Sequence, residues 1–245
     1  MKYLEQFSLK RVFDFSYVID ITGNLDLASG IVQNYLAKGY IKRVKKNLYV
    51  TTSLETGGPI PSKFEIASNI TNSSFLSHHS AFEYYGFQNQ VHNIIQVSSI
   101  EQFHSFVFDH NEYVCKRVKD VAFVNVVNGV KVSTIEKTIV DSIDSIKTFD
   151  DFEELVKVLS MIPFIDGNEI LNYLKHLNKQ ILFSKTGLIL SFFKDDYNIT
   201  TNHLEEMKKN GVSKANYFTS EKHRLNKYYN KWKIHCYNIS KLKVN

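Results

Sequence analysis

The stretch LAKGYIKRVKKNLYVTT, residues 36–52, changes its periodicity at Gly39, and this change limits how the chain can fold there. Before Gly39, apolar residues recur every three or four positions, which is typical of an amphipathic helix. After Gly39, YIKRV and LYVTT are strand-like, and KKN between them supplies a hairpin turn. We therefore predict a helix that ends near Gly39 and leads into a β-hairpin.

Two shorter helical patterns, YLEQFSLKRVF and FSYVIDIT, precede this helix, and TGN at 22–24 is typical of a tight turn. Asn24 or Asp26 can cap the third helix. Its apolar positions repeat at three and four residues: Leu27, Ile31, Val32, Tyr35 and Leu36. Three helices and a basic hairpin are typical of a winged helix-turn-helix, so we predict this DNA-binding domain over residues 1–55.

The polar side of the third helix carries short and amide side chains rather than the Glu and Lys mixture of an ordinary solvated helix. Amides can bridge the donor and acceptor edges of a base, and Gly30 would let the helix approach a groove closely. Five Lys or Arg residues and no acid lie between Lys38 and Lys46. We predict that the helix reads bases and the hairpin contacts phosphates. The candidate DNA-binding residues are Ser29, Gln33, Asn34, Lys38, Lys42, Arg43, Lys45 and Lys46.

The remainder of the chain predicts a second, larger domain. TSLETGGPIPS, residues 52–62, contains two glycines and two of the three prolines, so we predict a linker at 56–61 and a domain over 62–245. Strand-like runs separated by polar breaks are followed by helical patterns and by the alternating segment KWKIHCYNI. The predicted class is α+β, with a mostly antiparallel sheet and peripheral helices. Ser62 with Glu65, and Ser133 with Glu136, match the capping-box pattern.

Three segments, LAKGYIKRVKKNLYV, FLSHHSAFEYYGF and VSTIEKTIVDSI, together resemble the antitoxins of the AbiE abortive-infection systems, which are bacterial type IV toxin–antitoxin pairs. The second matches the family's Ser-His-x-Ala-like start of a helix, and the third matches its Ser-x-x-Glu-[Lys/Arg]-Thr-[Leu/Ile]-x-Asp run. Their order and spacing agree with the family over most of the chain. The motif residues singled out in this chain are Ser77, His78, Ser80, Glu136, Lys137 and Asp141.

The resemblance implies an N-terminal domain that binds inverted repeats in its own promoter and represses its own operon. It implies a C-terminal antitoxin domain that counters a nucleotidyltransferase-like toxin, without a stable complex between the two proteins, and a role in phage resistance. The hairpin is lysine-rich where family members often use arginine. This departure keeps phosphate affinity but weakens the expectation of bidentate guanine contacts.

Other chemistry finds less support in the sequence. His78 and His79 are adjacent and point in different directions, so a metal site would need ligands from elsewhere. Glu136 and Lys137 resemble the Glu-x-Lys pair of metal-dependent nucleases, but they are contiguous and lie in a capped helical pattern. A Gly-rich phosphate loop is missing. We expect no enzyme, metal or cofactor. The alternatives are a protein that binds its toxin directly, with the winged helix as scaffold, and a DNA-targeted nuclease.

Composition limits the compartment and the partners. Cys115 and Cys236 lie far apart and give no disulfide framework, and the sequence contains neither a signal-peptide pattern nor a run of 18 apolar residues. We therefore expect a cytoplasmic protein with no membrane partner. One winged helix offers a small interface, so we expect a monomer in solution that pairs on an inverted repeat.

The charge is distributed unevenly along the chain. Basic residues exceed acidic ones by 3 in residues 1–60 and by 7 in residues 200–245, whereas acids exceed bases by 5 between them. In the last segment lysines alternate with aromatic residues. We predict that these aromatics belong to the core and the lysines to its rim, and single-stranded nucleic acid binding is the alternative.

Overall fold

The computed structural model describes residues 3–88 and 92–242, which form two compact units. The first contains the chain up to Ser80 together with His92–Val132, and the second contains residues 81–88 together with the chain from Ser133. Helices accompany the sheets, and antiparallel strand pairs outnumber parallel pairs, which confirms the α+β class with mostly antiparallel pairing. Within the described residues, no helix has the length and apolar character needed to cross a membrane.

The first unit begins with three helices and a three-stranded antiparallel sheet of order β1-β3-β2. The elements are α1 (Leu4–Lys10), β1 (Val12–Asp14), α2 (Phe15–Thr22), α3 (Leu25–Ala37), β2 (Ile41–Lys45) and β3 (Leu48–Thr51). The three helices and the hairpin were predicted. Strand β1 was not, because its sequence continues the helical pattern of α1, whereas Val12 pairs with Val50 of β3.

An aromatic cluster forms the core between these helices and their sheet. The ring of Phe7 in α1 stacks on Phe13 in β1, with centroids 4.5 Å apart, and Tyr35 of α3 meets Phe7 edge-on at 5.7 Å. Tyr49 of β3 stacks on Phe13, with centroids 6.0 Å apart. Each such pair contributes about 0.5–1.5 kcal/mol beyond its buried area. The cluster thereby fixes α3 against the sheet.

Residues 56–61, predicted as an interdomain linker, lie inside the first unit. The amide of Ile60 donates to the carbonyl of Thr51 at 2.9 Å, so the segment folds back along the end of β3. Arg11 also holds it, since Nη2 donates to the Ile60 carbonyl at 3.0 Å while Nη1 pairs with Glu65 at 3.1 Å. Hydrogen bonds therefore order this Gly- and Pro-containing segment.

A six-stranded sheet completes the first unit, with strand order β6-β7-β5-β4-β9-β8. The elements after β3 are α4 (Lys63–Ser68), β4 (Phe75–Leu76), α5 (His78–Tyr84), β5 (Ile94–Ser99), β6 (Phe106–Phe108), β7 (Asn111–Arg117), β8 (Val124–Val127) and β9 (Val130–Ser133). The capping box of Ser62 and Glu65 starts α4 as predicted. Strand β5 runs parallel to β7, and β4 runs parallel to β9, so this sheet is mixed.

The second unit is mainly helical and ends in a small sheet of order β10-β12-β11. Its further elements are α6 (Ile135–Ser145), α7 (Phe149–Leu159), α8 (Gly167–Leu177), α9 (Gln180–Leu190), α10 (Thr201–Lys209), β10 (Asn216–Tyr217), β11 (Lys227–Tyr229) and β12 (Ile234–Cys236). The predicted closing strand is β12. Trp232 lies against Gly187 of α9, where a Cβ atom would approach the indole to 2.1 Å, so a side chain at position 187 would displace the ring.

Candidate nucleic-acid interface

Helices α2 and α3 are consecutive and are joined by Gly23 and Asn24. Gly23 has a left-handed conformation with φ of +69°, which glycine adopts without a steric penalty. Asn24 caps α3, because its Oδ1 accepts a hydrogen bond from the Leu27 amide at 2.9 Å. At the start of α2, Asp14 is the cap, because its side chain accepts a hydrogen bond from the Tyr17 amide at 2.9 Å. The predicted tight turn is confirmed.

The buried side of α3 consists of Ala28, Val32 and Tyr35. On its outer side the predicted polar residues Gln33, Asn34 and Lys38 are exposed, and Gln33 Nε2 donates to the hydroxyl of the half-buried Ser29 at 3.5 Å. The helix therefore presents two amides and a lysine to solvent.

Leu27 departs from the predicted pattern, because its side chain is 46% exposed instead of lying on the core side. Leu27, Asn34 and Lys38 are separated by seven and four residues, so they lie along one side of the helix. Leu25 is also exposed. The sequence pattern did not predict these two exposed apolar side chains at the start of α3, because the three-and-four spacing by itself assigns Leu27 to the core.

Gly30 lies on the same outer side, and packing within the described residues does not require a glycine there. A Cβ atom built at this position meets no described atom within 4 Å. Glycine inside a helix costs about 1 kcal/mol relative to alanine. At Gly30 the helix backbone is therefore open to approach from outside, and packing among the described residues of this unit does not require that opening.

The hairpin after α3 turns at Lys46 and Asn47, and Asn47 has a left-handed φ of +63°. Lys42, Arg43 and Lys46 are exposed. Arg43 lies opposite Tyr49 in the sheet, with its guanidinium 5.8 Å from the centroid of that ring. The ring supports the guanidinium from one side and leaves its hydrogen-bond donors available to a ligand.

Lys45 differs from the other three cations of the hairpin. It is half-buried, and its Nζ lies 5.5 Å from the centroid of the Phe103 ring. Burial lowers the pKa of Lys45, and the nearby sulfur of Cys115 acts in the opposite direction. The sequence gives no sign that Lys45 differs from the neighbouring cations. In the structure, the register of β2 against β3 shifts at a bulge between Arg43 and Lys45, and the Lys45 side chain lies over Phe103.

The segment FLSHHSAFEYYGF, the second of the three that carry the resemblance, joins the start of α5 to strand β5. Ser77 and Ser80 are fully buried: Ser98 Oγ donates to Ser77 Oγ at 2.8 Å, and the Gln96 amide donates to Ser80 Oγ at 2.8 Å. Nδ1 of His78 lies 3.0 Å from Ser77 Oγ. Both hydroxyls therefore bind strand β5. Among the described residues, no cluster of three or more His, Cys, Asp or Glu side chains could hold a metal ion.

The segment VSTIEKTIVDSI, the third of the three, forms a buried cluster in the second unit. Lys137 Nζ lies 3.1 Å from Asp141 Oδ2 and donates to Tyr173 Oη at 2.6 Å, and that hydroxyl donates to Asp141 Oδ1 at 2.6 Å. Glu136 accepts from the Asp166 amide at 3.1 Å. The motif thus ties α6 to α8, and the side chain of Asp141 is only 16% exposed. Thr134 caps α6, so the capping box predicted for Ser133 and Glu136 was wrong by one residue.

We expect Asp141→Ala to lower the free energy of unfolding by about 3–5 kcal/mol, because it removes one partner of a buried ion pair. Glu153→Ala is the matched control. It breaks an exposed pair with Lys157 at the same four-residue spacing, and it should cost less than about 1 kcal/mol. Urea unfolding followed by circular dichroism measures both values. Equal losses in the two variants would show that burial does not determine the contribution of the Lys137–Asp141 pair.

No protein-family model and no curated protein sequence matches the chain. A solved structure is similar to it: the crystal structure of the RV2827C protein from Mycobacterium tuberculosis. The TM-score is 0.60 at 12% sequence identity, and the alignment covers 91% of this chain and 85% of the other. At this identity the similarity shows a common fold over most of both chains.

Proposed function

We propose that this protein is an AbiE-type antitoxin that binds the promoter of its own operon and represses transcription. The observation that carries the proposal is the exposed outer side of α3 followed directly by a hairpin with three exposed cations. In this proposal α2, the turn at Gly23 and Asn24, and α3 form a helix-turn-helix, and β2 and β3 form its wing. The motif resemblance in the sequence supplies the antitoxin assignment.

Helix α3 is the proposed reader of base edges in the major groove. Gln33 and Asn34 each carry an exposed amide. One such amide can donate a hydrogen bond to an adenine and accept another from it at the same time. Leu27 offers an apolar contact to a thymine methyl group. Gly30 allows the helix backbone to approach the groove without a side chain between them.

The wing supplies affinity that does not depend on sequence. Lys42, Arg43 and Lys46 are the proposed phosphate contacts, because each is exposed and a lysine or arginine on a phosphate releases condensed counterions. Lys38 at the end of α3 adds a fourth cation. Lys45 is left out of this group, since it is half-buried and its ammonium lies over Phe103.

The partners follow from the same proposal. One reading helix covers a short site, so two copies are proposed to bind an inverted repeat in the promoter, as monomers that pair on DNA. The opposed toxin is a nucleotidyltransferase-like protein that does not form a stable complex with the antitoxin. Promoter binding and toxin antagonism are proposed to be separable, and the site of action is the bacterial cytoplasm.

Combined neutralisation of Lys42, Arg43 and Lys46 to alanine should weaken promoter binding and flatten its salt dependence. The slope of log K against log salt concentration should fall by about 0.9 for each phosphate that the variant no longer neutralises. Fluorescence anisotropy with promoter DNA at several salt concentrations measures the slope. In cells, the variant should derepress a promoter reporter and still protect growth against the co-encoded toxin.

A control with the same reduction of charge is Lys119→Ala, Lys194→Ala and Lys209→Ala, because these lysines are exposed and lie outside the proposed wing. Its salt slope should match the wild type. Lys45→Ala tests the distinction within the hairpin and should also leave the slope unchanged. A slope that falls equally in the wing variant and the control would refute the wing assignment.

Gly30→Ala separates DNA contact from fold stability. Alanine should raise the free energy of unfolding by up to about 1 kcal/mol, because it favours the helix and meets open space. The same methyl group should weaken promoter binding if α3 enters a groove closely. Thermal unfolding and anisotropy on the same preparations measure the two effects. A variant that is more stable and binds DNA as well as wild type would mean that α3 does not approach DNA at Gly30.

A further inference from the structure

Three aromatic side chains form a ladder across the small sheet of the second unit. Tyr217 of β10 and Tyr228 of β11 each lie directly opposite His235 of the central strand β12. The ring centroids of Tyr217 and His235 are 4.9 Å apart with an interplanar angle of 21°, and those of Tyr228 and His235 are 4.6 Å apart at 34°. Directly opposed residues share one face of a sheet. The three rings therefore form a continuous row, stacked at Tyr217 and tilted at Tyr228.

The ladder faces solvent. Tyr217 is 45% exposed and Tyr228 is 41% exposed, whereas the flanking strand residues Phe218, Ile234 and Cys236 are buried beneath the sheet. Alternation along a strand produces this separation of two faces. The sequence predicted that the aromatics of this region belong to the core. The structure confirms this for Phe218 and contradicts it for Tyr217 and Tyr228.

The surroundings of the ladder are basic. Lys222 Nζ lies 4.6 Å from the centroid of the Tyr217 ring, whereas Lys227, one residue before Tyr228 in β11, lies on the other face of the sheet, with its Nζ 5.0 Å from the centroid of the Tyr229 ring. Residues 212–242 contain seven Lys or Arg residues and one acid, Glu221. The carboxylate of Glu221 accepts hydrogen bonds from the Phe149 amide at 3.2 Å and from Tyr237 Oη at 3.4 Å. The acid of this segment is therefore engaged with the protein, while Lys222 borders the exposed Tyr217 ring.

We propose that this sheet face binds an unpaired polynucleotide strand, with bases stacked on Tyr217 and Tyr228 and a phosphate near Lys222. Exposed rings with a neighbouring cation complement the two parts of a single strand, since each base has a π-face and each linkage a negative charge. A duplex keeps its bases stacked on one another and offers no free face to the rings. The site is independent of the proposed promoter contacts, because it uses other residues and another form of nucleic acid.

The test uses the full-length chain with Lys42, Arg43 and Lys46 changed to alanine, so that the proposed wing does not contribute. Labelled oligouridine, oligothymidine and a hairpin duplex, each of about 12 nucleotides, match the site size of such surfaces. Fluorescence anisotropy should show binding of at least one single strand and weaker binding of the duplex. Comparison of the two single strands identifies whether RNA or DNA is preferred.

Tyr217→Ala with Tyr228→Ala should reduce single-strand affinity at least about tenfold, because the variant lacks two stacking rings. Tyr217→Phe with Tyr228→Phe should retain it, since the rings remain. Phe164→Ala is the matched control, because Phe164 is an aromatic residue of the same unit and is 55% exposed. Lys222→Gln leaves both rings in place and should reduce the salt slope, whereas Lys227→Gln, on the other face of the sheet, should not. This comparison provides a second test if the alanine variant unfolds.

Three results would overturn the proposal: unchanged affinity in the alanine variant, an equal loss of affinity in Phe164→Ala, or equal binding of duplex and single strands. Absence of binding to both single strands would also overturn it and would favour a protein partner for this face. None of these results bears on the promoter proposal, because the wing cations are already neutralised in this background.

Discussion

Stacking of Phe7 on Phe13 is the interaction on which the N-terminal arrangement depends. It joins α1 to β1, while Tyr35 and Tyr49 extend the cluster to α3 and β3. Because Tyr35 faces this core, the opposite side of α3 with Gly30 and Gln33 must face solvent. The aromatic core therefore determines which side chains a ligand can meet, although none of its own rings is available to that ligand.

The same unit distinguishes between cations that the sequence presents as equivalent. Lys42 and Lys46 are exposed, whereas the bulge in β2 places Lys45 over Phe103 with a lowered pKa. In the second unit, Lys137 is buried beside Asp141 and Tyr173, while Lys222 borders an exposed ring. A count of basic residues therefore overstates the surface available to a polyanion, and their packing decides which cations can contribute.

Local pattern predicted much of the fold, because capping and periodicity act over a few residues. It placed the turn before α3, the hairpin and the capping box at Ser62. It missed β1, whose three residues become a strand only through pairing with β3 far along the chain. It also missed the exposure of Leu27 and the stacked row at His235, since both depend on how a segment turns outward against distant neighbours. The parallel strand pairs likewise connect segments whose sequences give no register.

The most direct test of the account is a gel-shift titration of the purified protein against the DNA upstream of its own gene, beside a scrambled duplex of equal length and composition. The account predicts salt-sensitive binding to the upstream DNA that survives an excess of the scrambled competitor. It further predicts that the double variant Gln33→Ala with Asn34→Ala loses this preference and binds the upstream and scrambled duplexes with the same, weaker affinity. Equal affinity of the wild-type protein for both duplexes would contradict the assignment of α3 as a reader of DNA sequence.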